Sequence, residues 1–60
     1  MTRRPATDAE VRKLYKDADH TVRINRDGHV EYKDEGKGPW LEGRWIEEYT
    51  TDTETGIVRP

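Results

Sequence analysis

Residues 22–32 constrain the fold most, because they read as two alternating segments joined by a turn. Val22 and Ile24 alternate with polar residues before the turn, and Val30 and Tyr32 alternate with polar residues after it. Alternation at period two is typical of a strand that has one buried face. The segment therefore predicts a β-hairpin whose apolar side chains all lie on one side.

The length of the turn decides which residues face each other across this hairpin. A two-residue loop at Asp27 and Gly28 would divide the apolar residues between the two faces, because a slip of one residue reverses every side chain. A three-residue loop, residues 26–28, instead sets Ile24 opposite Val30 and keeps the apolar residues together. We therefore predict the three-residue loop.

The turn chemistry agrees with this register. Asn25 suits the first position of a type I turn, and Gly28 can adopt the left-handed conformation that closes a three-residue loop with a bulge. The same register places Arg23 opposite Glu31 on the polar face, as a cross-strand ion pair. Such an exposed pair contributes under about 1 kcal/mol.

The length and composition predict one small domain, residues 1–60, with a thin core. Leu, Ile and Val together number nine, and Phe is absent, so two Trp and three Tyr must supply much of the buried area. Charged residues make up 40% of the chain, but the formal net charge is only −2. Because the apolar periodicity is clear and the charges nearly balance, we expect a fold and not a disordered chain.

The sequence also bears on the location and the origin of the protein. No apolar run approaches the length of a membrane span, and no cysteine is present, so we expect a soluble, cytoplasmic protein without membrane contacts. The excess of Arg over Lys, seven to four, is typical of a GC-rich bacterial or phage genome.

The N-terminal third predicts a flexible arm, residues 1–6, followed by a helix over residues 7–19. Thr7 and Glu10 have the spacing of a capping box, in which each side chain accepts a hydrogen bond from the other residue's backbone amide. Apolar residues then recur at helical spacing and form one stripe: Val11, Leu14, Tyr15 and Ala18.

Residues 40–51 fit both a helix and a strand. Leu41 and Trp45 recur at a spacing of four, but with Gly43 they also alternate at period two. We choose the strand, because glycine is unfavourable inside a helix, and Gly43 would then mark a bulge or a close approach of the helix. A regular strand sends Leu41 and Trp45 to the helix side and leaves Trp40, Arg44 and Ile46 on the opposite face.

These elements predict an α+β fold in which an N-terminal helix packs on one face of a three-stranded antiparallel β-meander, residues 21–50. The strands are expected near residues 21–26, 29–34 and 40–49. The tail, residues 51–60, either adds a short fourth edge strand or stays loose until a partner binds. The expected core comprises Val11, Leu14, Tyr15, Ala18, Val22, Ile24, Val30, Tyr32, Leu41 and Trp45.

The exposed side of the third strand is the first candidate interaction surface. Exposed tryptophan is strongly enriched at the energetic centres of protein interfaces. We therefore predict a small non-enzymatic protein-interaction module that binds through Trp40, Arg44 and Ile46. The first expected partner is a second copy, in a homodimer formed through the sheet face or the third-strand edge. Alternatively, Ile57 and Val58 fold over Trp40 or Ile46 and hide them.

DNA binding is the alternative function, since a three-stranded sheet can lie in the major groove. The topology is similar in outline to the arm-binding domains of phage integrases and to the plant AP2 domain, although no sequence motif carries a residue over from them. Acidic residues at Glu31, Glu42 and Glu48 share the predicted face and reduce its positive field. The candidate nucleic-acid contacts are Arg3, Arg4, Arg23, His29, Lys33 and Arg44.

The residues that catalysis needs are scarce. The chain has no serine, no cysteine and no glycine-rich phosphate loop, so nucleophilic and nucleotide-dependent mechanisms lack their parts. His20 and His29 lack the spacing of a metal-ligand pair. We therefore expect no enzyme activity, no cofactor and no metal.

Overall fold

The computed structural model describes residues 2–60, which form one α-helix and six short strands in two antiparallel sheets. Strands β2, β3 and β4 form the first sheet in that order, and β5 lies between β1 and β6 in the second. The α+β class with an N-terminal helix is therefore confirmed. The elements are β1 Arg3–Pro5, α1 Asp8–Asp17, β2 His20–Ile24, β3 His29–Asp34, β4 Leu41–Trp45, a 3₁₀ turn Ile46–Glu48, β5 Thr50–Asp52 and β6 Val58–Arg59.

The hairpin of β2 and β3 has the predicted register. Ile24 pairs with Val30, and Arg23 pairs with Glu31. The Asn25 side chain stabilises the turn, because its Oδ1 accepts from the amides of Asp27 and His29, each at 2.9 Å. Residue 28 is a glycine with φ of 88°, as the three-residue loop requires.

The helix begins as predicted and ends earlier. The Thr7 hydroxyl accepts from the Glu10 amide at 3.2 Å, and the Glu10 carboxylate accepts from the Thr7 amide at 2.9 Å, which completes the capping box. The helix stops after Asp17 because Asp19 turns the chain with φ of 61°. Ala18 lies beyond the helix and is exposed, so its prediction as a core residue is wrong.

Strand β4 contains a bulge that changes the predicted faces. Glu31 pairs with Glu42 and His29 with Trp45, so three steps along β4 match two along β3. The extra residue lies at Gly43 and Arg44, where a Cβ on Gly43 would come within 3.0 Å of the Val30 carbonyl oxygen. The bulge turns Trp45 to the face away from the helix, so the prediction that Trp45 enters the core is wrong.

Residues 46–52 do not continue the third strand to residue 49, as the sequence suggested. A 3₁₀ turn ends β4, and β5 then joins the second sheet. Residues 3–5, predicted to be a flexible arm, pair with β5 as β1, and the tail supplies β6 on the other side of β5. The first residue of that predicted arm, Met1, lies outside the described residues.

The fully buried part of the core lies under the helix and extends to the second sheet. Its apolar residues are Val11, Val22, Val30 and Tyr49, and Thr51 and Asp52 are also buried. Leu14, Tyr15 and Ile24 pack around this cluster and are partly buried. The helix packs mainly on β2 and leaves β4 uncovered, so Leu41 is 49% exposed and its prediction as a core residue is also wrong.

Among residues 2–60, no helix combines the length and the apolar character needed to cross a membrane.

Candidate functional site

The face of the first sheet that points away from the helix is the candidate site, and we call it the outer face. On β2 and β3 its side chains alternate with buried Val22 and Val30, and on β4 the bulge decides which residues join it. The outer face comprises Arg23, His29, Glu31, Lys33, Trp40, Glu42 and Trp45.

Trp40 lies against two cationic side chains of the outer face. The Arg23 Cζ atom is 4.0 Å from the centre of the indole ring, and the Lys33 Nζ atom is 4.7 Å from it. Arg23 also donates through Nε to the Glu31 carboxylate at 2.9 Å. Cation–π contacts of this kind contribute about 0.5–1 kcal/mol at exposed sites. Trp40 is therefore held in a fixed position and is partly covered by these cations.

Trp45 is the more accessible tryptophan. Its ring stacks on His29 with centroids 4.7 Å apart, and 46% of its surface remains exposed. His29 is fixed in turn by a contact of 3.1 Å between its Nε2 and the Gly43 carbonyl oxygen. Because a carbonyl only accepts, Nε2 carries the proton in this contact. The Trp45 amide donates to the Glu48 carboxylate at 2.9 Å, so the backbone below the ring is also fixed.

The three residues predicted to bind a partner are not brought together. Trp40 remains on the outer face. The bulge turns Arg44 toward the helix side, where it borders a groove beside Tyr15 and lies 3.7 Å from the Glu48 carboxylate. Ile46 packs against the core, and its amide donates to the Gly28 carbonyl at 2.7 Å.

The predicted nucleic-acid contacts are divided in the same way. Arg23, His29 and Lys33 share the outer face, but Arg44 has left it. Arg3 donates to the Thr50 side chain and carbonyl oxygen at 2.7 and 3.0 Å, which ties β1 to β5.

The Arg4 guanidinium binds the Glu10 carboxylate at the start of the helix, so it is not free to contact a phosphate. The guanidinium donates to both oxygens of Glu10 at 2.8 Å. These hydrogen bonds, followed by the backbone bond from Thr7, lower the pKa of Glu10 to about 2. Arg4 therefore stabilises the start of the helix through its contact with Glu10.

The sequence did not identify Trp45 as a surface residue, although Gly43 was a usable signal. A glycine inside a strand often marks a bulge, and one extra residue moves every later side chain to the other face. A bulge placed at Gly43 in the predicted strand moves Arg44 to the helix side and Trp45 to the outer face.

The His20 ring lies near one carboxylate. His20 Nδ1 lies 3.6 Å from the Asp34 carboxylate, which is a weak ion pair when the ring is protonated. Across residues 2–60, no group of three His, Cys, Asp or Glu side chains has a geometry that could hold a metal ion.

Comparison of the chain with protein-family models, with curated proteins and with solved structures found no match in any of the three.

Proposed function

We propose that this protein is a small non-enzymatic protein-interaction module, and that the outer face is its binding surface. The observation that carries the proposal is the pair of tryptophans on one open sheet face, with Trp45 half exposed and stacked on a fixed histidine. An aromatic side chain that is already ordered loses little entropy on binding, which is typical of an interface anchor. A cytoplasmic location and a bacterial or phage origin belong to this proposal.

The partner we favour is a second copy of the same chain. The outer face carries two cations, Arg23 and Lys33, and two acids, Glu31 and Glu42. In a twofold contact the same surface meets itself. Arg23 and Glu31 already pair within one copy, so Lys33 and Glu42 are the opposite charges that can pair across the axis. The small core adds support, because a second copy would supply further buried apolar area.

Sedimentation velocity over a range of protein concentrations tests this proposal. We expect the natural chain to associate reversibly, and we expect Trp45→Ala to weaken association by about tenfold or more. Ile57→Ala is the matched control, because Ile57 is an exposed apolar residue of the connection between β5 and β6, residues 53–57. A natural chain that stays monomeric at millimolar concentration, or equal losses in both variants, would contradict self-association through the outer face.

Duplex DNA is the second candidate, supported by Arg23 and Lys33 side by side on an open three-stranded sheet. It is weakened by the internal bonds of Arg3, Arg4 and Arg23. Titration with mixed-sequence duplex at about 50 and 200 mM salt separates the two functions, since phosphate contacts weaken steeply over that range. Under the DNA hypothesis, Lys33→Ala lowers the affinity and flattens its dependence on salt.

A further inference from the structure

A groove of about 530 Å³ lies on the helix side of the first sheet, opposite the outer face. Leu14, Tyr15 and Ala18 form one side, and β4 at residues 42–44 forms the other. Tyr32 and Tyr49 also border it. We call it the tyrosine groove, and neither Trp40 nor Trp45 borders it.

The aromatic rings of the tyrosine groove meet at angles and form a ridged surface. Tyr15 and Tyr32 have centroids 5.1 Å apart with planes tilted by 31°, and Tyr15 and Tyr49 are 6.4 Å apart at 69°. His20 adds a ring 5.3 Å from Tyr32. Proline-rich segments in the polyproline II conformation dock on grooves lined by aromatic side chains, where the proline rings pack against the exposed aromatic surface.

The chain itself places a proline in this surface. Pro60 borders the tyrosine groove, directly after β6 pairs with β5. A proline and the tyrosines therefore border the same groove.

The tyrosine hydroxyls add a hydrogen-bond donor. The hydroxyls of Tyr15 and Tyr49 share one hydrogen bond, so one of the two protons stays available for another acceptor. Burial, followed by the bond to Tyr49, raises the pKa of Tyr15, so the phenol stays protonated at neutral pH. A polyproline II backbone makes no internal hydrogen bonds, so its carbonyl oxygens are free to accept that proton.

Arg44 supplies a positive charge at the rim. Its guanidinium is about 3.7 Å from Glu48, which is longer than a hydrogen bond, and the side chain is 60% exposed. A carboxylate on a bound peptide can therefore take the place of Glu48 with a closer contact.

From these observations we propose that the tyrosine groove binds a proline-rich peptide that carries an acidic side chain near its prolines. This inference goes beyond self-association, because it uses the opposite side of the sheet and a different partner. The prolines lie along Tyr15 and Tyr32, a peptide carbonyl accepts from the Tyr15–Tyr49 hydroxyl pair, and the acid binds Arg44.

The test uses the full chain, labelled with ¹⁵N, and a blocked peptide of sequence Gly-Pro-Pro-Glu-Pro-Pro-Gly followed by amide shifts. We expect saturable shifts at Tyr15, Arg44 and Tyr49, and none with a peptide whose prolines are replaced by alanine. No saturable shifts, equal shifts with the alanine peptide, or shifts confined to the outer face would each overturn the proposal.

Two variants test the roles of single groups. Tyr15→Phe keeps the ring and removes a hydroxyl, and we expect it to raise Kd roughly two- to tenfold. Arg44→Ala should raise Kd roughly two- to fivefold and abolish the preference for the Glu peptide over its Lys counterpart. Arg26→Ala is the matched control, since it removes the same charge from the exposed hairpin loop.

The two proposals fail separately. Sedimentation reports on the outer face without peptide, and the peptide titration at low protein concentration reports on the groove. A peptide-independent dimer with a silent titration overturns only the groove, whereas a monomer that binds the peptide overturns only self-association.

Discussion

Thr51 illustrates at the scale of one residue how burial and hydrogen bonding compete. It lies in the middle strand of the second sheet and is 1% exposed. Within residues 2–60 its hydroxyl has no hydrogen-bond partner. A buried hydroxyl without a partner loses its bonds to water and gains nothing in return.

Thr51→Val should therefore stabilise the protein. Valine keeps the branched shape and the preference for strands, and removes the unpaired hydroxyl, so we expect the free energy of unfolding to rise by about 1 kcal/mol. Urea denaturation measures this change. Thr53→Val is the control, because the Thr53 hydroxyl donates to the Thr2 carbonyl at 3.0 Å and its removal should bring no gain. A loss of stability in Thr51→Val would contradict the assignment of an unpaired hydroxyl.

Gly43 acts through the absence of a side chain. A Cβ at this position would lie 3.0 Å from the Val30 carbonyl oxygen and 3.2 Å from the Tyr15 hydroxyl. Gly43→Ala should therefore push β4 away from β3 and lower the free energy of unfolding by about 1–3 kcal/mol. Thermal denaturation checks this, with Glu42→Ala as the exposed neighbouring control. Equal stability of the two variants would show that β4 tolerates a side chain inside the bulge.

At the scale of elements, the sequence predicted those features of the fold that depend on interactions between residues close together in the chain. The capping box, which joins Thr7 and Glu10, determines where the helix begins. The turn from Asn25 to Gly28 determines the register of the hairpin. In both cases the interacting residues are only a few positions apart in the sequence. The face of Trp45 was not predictable from alternation alone, because it depends on how closely Gly43 approaches Val30 and Tyr15. The second sheet was missed because it pairs residues 3–5 with residues 50–52, far apart along the chain.

The hydrogen bonds that Glu10 accepts, first from Arg4 and then from the Thr7 amide of the capping box, make the stability of the helix depend on pH. The pKa of Glu10 is about 2 in the folded chain and has an ordinary value of 4.5. Because the folded pKa is the lower one, the stabilisation is complete above pH 4.5 and is lost as the pH falls toward 2.

We expect the urea midpoint of the natural chain to fall more steeply than that of Glu10→Gln as the pH decreases from 4.5 to 2. Asp52 contributes in the same direction in both proteins, because the amides of Glu54 and Thr55 lower the pKa of its carboxyl. The comparison of the two slopes therefore isolates Glu10. Parallel slopes would contradict the role assigned to the Arg4–Glu10 contact.

At the scale of the whole molecule, the fold is thin. The Cα atoms of the described chain span only 14 Å along the shortest axis, which is the thickness of one helix on one sheet. The helix packs on one side of the first sheet, mainly against β2, and the outer face on the other side remains uncovered, with Trp45 exposed on it. For this reason we propose the outer face, and not the solvent-facing side of the helix, as the surface for self-association.

The most direct test of that assignment is an isotope-filtered nuclear Overhauser measurement on a mixture of labelled and unlabelled chains. We predict intermolecular signals between the Trp45 indole of one copy and outer-face side chains of the other, at Arg23, Lys33 or Trp40. The Ile57 methyl groups, in the connection between β5 and β6, should give none. Intermolecular signals at Ile57 with none at Trp45, or no signals at a concentration where sedimentation detects a dimer, would contradict binding through the outer face.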